Sequence, residues 1–248
     1  MSYQGFDTSQ RITVGQAKNA AAQELTFVCR YLGPESWGKT ITRAEAKGLL
    51  DAGLSILLCY ETVAARMRTG APGGAEDGAL ALQCATELGV PEGTVIYFAC
   101  DFDVQQSELP TCEEYINAAR IALGRRYEVG IYGPERIVAH MSEKGICRYF
   151  WQCVAWSRTF LPEASARQYA WQGDSRSIAM AAKIGVLAVD LDDCDDLVGA
   201  GMWQHNEPWY AKAMRYVKAK GLMNDGRPND PVTRAELAMV IYRHDGGK

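Results

Sequence analysis

Eight short β-rich runs, separated over much of the chain by segments of helical period, constrain this sequence more than any other feature. The runs are GFD (5–7), FVCRYL (27–32), SILLCYE (55–61), TVIYFACD (94–101), VGIYG (129–133), YFWQCVAW (149–156), RQYAWQ (167–172) and VLAVDLD (186–192). Helical patterning falls at 14–24, 42–52, 78–88 and 112–125. Thr42-Arg-Ala-Glu45 carries the capping-box pattern, and Gly53 and Gly89 stand where helices would stop. Strand and helix alternating to a count of eight over one domain predict an α/β fold, a (β/α)8 TIM-like barrel. The stretches after the sixth and seventh runs are short for full helices, so its late half is expected to be irregular.

Polar residues gather at the carboxyl ends of these runs. Asp7 closes the first, Glu61 the third, Asp101 and Asp103 the fourth, Tyr132 the fifth, Trp156 the sixth, Gln172 the seventh, and Asp190 with Asp192 the eighth. In a barrel of parallel strands those ends share one rim, the rim where barrel enzymes keep their chemistry. Asp101 and Asp103, at i and i+2, are expected on one side of an extended strand, where crowding of like charge raises one of the two.

Composition removes several alternatives. A net charge of -4 without a Lys/Arg cluster gives no footprint for nucleic acid or anionic lipid. No window approaches the roughly 18 apolar residues of a membrane span. The N-terminus MSYQGFDTSQ lacks a secretory pattern, which suggests synthesis in the cytoplasm, with any action outside the cell following release by another route. Eight cysteines lie far apart within apolar segments and read as buried free thiols. None has C-x-x-C spacing and the three histidines are isolated, so neither a metal nor another cofactor is expected.

Carboxylates between aromatic walls suit a neutral polyol. Sugar rings lay C–H faces on aromatics such as Tyr31, Tyr97, Tyr132, Trp151, Trp156 and Trp171, and offer hydroxyls to Gln172 and Asp192. Glycoside cleavage needs one protonated carboxyl and one ionised carboxylate.

The ordered set Gly5-Phe-Asp-Thr-Ser-Gln10, Tyr97-Phe-Ala-Cys-Asp-Phe-Asp103, Val129-Gly-Ile-Tyr-Gly133, Phe150-Trp-Gln, Ala170-Trp-Gln172 and Val189-Asp-Leu191 resembles the glycoside-hydrolase-like domain of unknown function family 1906. That family is similar to the family twenty-five lysozymes of phages and bacteria. The resemblance spans about residues 3–198 and implies an endolysin-type muramidase acting on peptidoglycan, with Asp7, Asp101 and Asp190 at matching positions. Asp103 stands where the muramidases carry glutamate as general acid. The resemblance therefore leaves three readings: a shifted strand end, Glu61 as the alternative acid, or a glycan-binding module without turnover.

Beyond residue 200 the character changes. GLMNDGRPNDPVTRAEL resembles a single S-layer homology motif, and 207–248 reads as a helical hairpin appended to a barrel at 1–200. Too small to be stable alone, the hairpin should pack against the barrel or a second chain. Wall-polymer binding and formation of a homodimer are its two readings.

Overall fold

The computed structural model describes residues 2–186 and 188–204; the expected hairpin at 207–248 lies outside them. Eight strands close a barrel in chain order: β1 (Tyr3–Asp7), β2 (Phe27–Leu32), β3 (Ser55–Tyr60), β4 (Val95–Ala99), β5 (Glu128–Gly133), β6 (Tyr149–Cys153), β7 (Ala166–Ala170) and β8 (Asp190–Cys194). Around it lie α1 (Val14–Ala22), α2 (Arg43–Asp51), α3 (Gly70–Leu88), α4 (Leu109–Leu123), α5 (Glu135–Glu143) and α6 (Ser175–Ile184). The α/β barrel read from the sequence is therefore present, and its late half is irregular: no helix joins β6 to β7. No described helix is long and apolar enough to cross a membrane.

Strands β1 to β7 run parallel to one another, whereas β8 is antiparallel to both β7 and β1. This corrects the expected strand end at 190–192. After α6 the chain returns to the mouth, where Thr8 Oγ1 donates to the Ala188 carbonyl at 2.8 Å, and β8 then descends from there. Asp190 consequently opens the strand at the rim, and Asp192 lies two residues deeper.

The period of two sorts the strands into two cores. Phe6, Val28, Ile56, Leu58, Ile96, Phe98 and Ile131 face the helices. Phe27, Cys29, Leu57, Cys59, Tyr97 and Trp151 fill the barrel. Burying each large apolar side chain stabilises the fold by about 1.5–3 kcal/mol. Small residues make room for the large ones inside: a Cβ on Gly5 would lie 2.5 Å from the Phe27 ring, and one on Gly130 would lie 2.7 Å from Tyr97. The strand starts are closed off by residues 200–203, through Tyr97 Oη to the Ala200 carbonyl (2.8 Å), Val95 N–H to Gly201 (2.9 Å) and Ile56 paired with Trp203.

Helix limits follow caps and contacts. Gly89 ends α3 in the left-handed region, φ 85°. The helix begins eight residues before the patterned segment because its glycines are a contact surface rather than a loop: a Cβ on Gly74 would collide with the Tyr115 carbonyl of α4. At α2 the capping box is only half realised. Thr42 accepts from Glu45 N–H at 3.2 Å, but the Glu45 carboxylate turns inward to Ile12 N–H (2.9 Å) and Arg30 Nε (2.7 Å). All eight cysteines are free thiols.

Candidate active site

Two acids come together at the rim because β1 and β8 are in register there, Asp7 opposite Asp190. Gln168 of β7 bridges them: its Nε2 donates to Asp7 Oδ2 at 2.7 Å and to Asp190 Oδ2 at 3.1 Å. The amide is oriented from behind by Tyr132 Oη, which donates to Gln168 Oε1 at 3.1 Å, and the Tyr132 ring packs against Trp151 at a tilt of 55° with centroids 4.4 Å apart. The Gln172 backbone N–H supplies another hydrogen bond to Asp190. Asp7, Asp190, Tyr31 and Gln172 line a depression of about 150 Å³ together with Thr8, Ser9, Ala188 and Val189. That is below the roughly 300 Å³ at which pockets begin to enclose a small ligand, so it seats one group at the floor of an open mouth.

Burial and nearby like charge raise both members of this pair. Asp7, 8 % exposed, is pushed up to about 7, first by desolvation and then by the Asp190 charge, against hydrogen bonds from Gln168 and Asp192 and the nearby Arg30. Asp190 is raised to about 6 by desolvation and the charge of Asp101, against the Gln172 hydrogen bond. Asp101 is half-buried and also raised, by burial and by Glu61, with Lys39 opposing. Glu61 is ion-paired with Lys39 Nζ at 3.0 Å, and the same ammonium lies 4.2 Å from the centroid of Tyr31. A carboxylate held by a lysine suits charge stabilisation better than proton donation.

Several expected members stand elsewhere. Strand β4 ends at Ala99, so Asp101 and Asp103 are not on one extended strand; the Asp103 side chain is 58 % exposed and faces Arg136 Nη1 at 3.7 Å. Tyr97 is fully buried inside the barrel and Trp151 is 3 % exposed, so neither is a wall of the mouth. Asp192 is fully buried, accepts from Trp151 Nε1 at 2.8 Å and cannot meet a substrate. Trp156 and Trp171 lie on the loops following β6 and β7, exposed at 51 % and 60 %, with Trp156 held at φ 55°. Because β6 ends at Cys153, Trp156 is a loop residue rather than a strand end.

Gln168 and Lys39 are site residues that the sequence reading passed over. Gln168 had a signal, since alternation along β7 turns it to the same side as Ala166, into the barrel. Lys39 lies in a loop without periodicity and had none.

A closed barrel with carboxyls gathered at one rim is the arrangement that glycoside hydrolysis asks for, and the chain is of the glycoside-hydrolase-like class. Within that class it belongs to the family of Rv2525c-like, glycoside hydrolase-like domains, whose pattern matches residues 18–195. It is 29 % identical to the uncharacterized protein FadG of Bacillus subtilis over 96 % of its own length, and 33 % identical over 41 % of its length to YbfG of the same organism. The chain spans 45 % of the first relative and 15 % of the second. Among solved structures it resembles the Tat-secreted protein Rv2525c of Mycobacterium tuberculosis, with a TM-score of 0.68 and 21 % identity over 82 % of this chain and 98 % of that one.

Proposed function

We propose that the protein is a cell-wall glycan hydrolase, a lysozyme-like enzyme that cleaves peptidoglycan. The observation that carries this reading is the Asp7–Asp190 pair, held in register under one shared amide donor, where burial raises both carboxyls. The pair supplies the protonated carboxyl for the leaving oxygen. Asp101, across the rim and half-buried, supplies negative charge for the oxocarbenium-like centre or a base for water. Tyr31 and the exposed Trp156 and Trp171 offer faces for neighbouring sugar rings.

Release of reducing ends from purified Gram-positive cell walls tests the reading. Asp7→Asn, Asp190→Asn and Asp101→Asn should each lower release by about a hundredfold or more. Unchanged rates in all three folded variants would refute the assignment. A second reading, glycan binding without turnover, is favoured by the placement of Asp103, which faces Arg136 at the surface. In that case wild type sediments with the walls and releases nothing.

A further inference from the structure

We propose that Asp192 is a positioning residue: a neutral carboxylic acid sealed inside the barrel, whose hydrogen bond to Asp7 supports the ionised form of that group from below. The proposal deepens the function assigned to the Asp7–Asp190 pair and rests on it. Asp192 lies two residues below Asp190 on β8, opposite Gly5 of β1 and Gln168 of β7. It is fully buried and takes two donors, Trp151 Nε1 on Oδ1 at 2.8 Å and the Cys29 thiol on Oδ2 at 3.7 Å. By the β1–β8 register it is also the diagonal neighbour of Asp7, on the same inward face of the barrel.

Two buried carboxyl groups facing each other in this way can bond only through a proton, because carboxylates only accept. Burial favours leaving that proton on the deeper group, and Asp192 is raised well above the ordinary carboxylate range by desolvation and then by the Asp7 charge. The hydrogen bond from Asp192 acts on Asp7 in the opposite direction, lowering it. The other groups around the pair do not supply a competing proton. Burial pushes the Cys29 and Cys59 thiols well up and Cys194 up to about 12, and the buried Tyr97 hydroxyl is raised as well. Gln168 is an amide, and the Arg30 guanidinium acting on Asp7 is itself engaged by Glu45 at 2.7 Å. Burial also raises the hydroxyls of Tyr31 and Tyr132, which face Asp7, and Asp190 opens to the rim.

The column Asp192, Asp7, Asp190 therefore holds one fixed proton at its foot and one mobile proton at its top. Without the lower donor Asp7 would stay protonated to higher pH, leaving the pair slow to give up its proton.

Difference infrared spectroscopy of the full chain with isotope-labelled aspartate tests this without needing turnover. Wild type should keep a protonated carboxyl band above about pH 8 that is missing in Asp192→Asn. Asn still offers an N–H to Asp7, so the Asp7 titration in that variant should stay near that of wild type. Asp192→Leu, without a donor, should move it upward by about one pH unit, the equivalent of one hydrogen bond. A wild type with no protonated band above that pH, or an Asn variant shifted as far as Leu, would overturn the proposal. If Leu fails to fold, the comparison of wild type with Asn still decides. Should the bands behave as expected while walls release no reducing ends, the hydrolase reading falls and the proton arrangement stands.

Discussion

Replacing Asp7 by Asn should make the protein more stable at pH 8, an unusual direction for a buried polar residue. Asp7 is 8 % exposed and is raised from an ordinary 3.8 to about 7. A carboxyl raised in the folded state binds its proton more tightly there than in the unfolded chain. Its contribution to stability is thus fully present below about pH 4 and is lost as pH rises through about 7. At about 1.4 kcal/mol for each pH unit, the loss amounts to about 4 kcal/mol at alkaline pH. Asn carries no charge and keeps an acceptor for Gln168 Nε2, which donates at 2.7 Å in wild type. Imperfect pairing of the new amide costs about 1 kcal/mol, leaving a net gain of about 3 kcal/mol. In a chain of this size that corresponds to a rise of roughly 6–12 °C in melting temperature. Urea midpoints followed by tryptophan fluorescence at pH 4 and pH 8 would measure it: the variant should equal or fall slightly below wild type at the lower pH and exceed it at the higher. A variant less stable than wild type at pH 8, or one with the wild-type pH slope, would refute the buried proton.

If turnover needs Asp7 protonated and Asp190 ionised, it should fall below about pH 6 and above about pH 7, and a pH–rate profile that stays flat from 5 to 8 would contradict that division of labour. Arg30→Ala removes a fully buried guanidinium that binds Glu45 at 2.7 Å, the Thr8 carbonyl, and the Lys39 carbonyl at 3.1 Å. It should destabilise by about 3–5 kcal/mol, read from urea midpoints, and should also weaken wall binding, since Thr8 and Lys39 belong to two loops of the mouth.

Much of the barrel was legible because apolar runs and their punctuation are local. Residues 27–32 form β2 as read, and the first two helices start within a residue of their Thr caps. What was not legible depends on partners far along the chain. The glycines at 70–78 belong to α3 only because α4 packs against their bare backbone. Glu45 belongs to a helix cap by its spacing and to Arg30 by its surroundings. Asp101 and Asp103 alternate in sequence, yet the strand stops before both, so no face is shared. The clustering of acids at one rim was visible, but which acids touch is a matter of register. Asp7 meets Asp190 through β1–β8 pairing, and Gln168 joins them through β7.

The reversal of β8 is what turns an acidic rim into a proton-holding column. Asp190 and Asp192, two apart on a strand, point to the same side of the sheet, here the inside of the barrel. On a parallel eighth strand the second acid would stand above the first, nearer the solvent. On a descending strand the second acid is carried about 7 Å inward, beneath Asp7 and against Trp151 and Cys29. The same descent brings residues 188–190 over the top of β1, where the Thr8–Ala188 hydrogen bond narrows access to Asp7. One topological change thus seals one carboxyl, shields a second and leaves the third open, giving three like residues three different affinities for a proton.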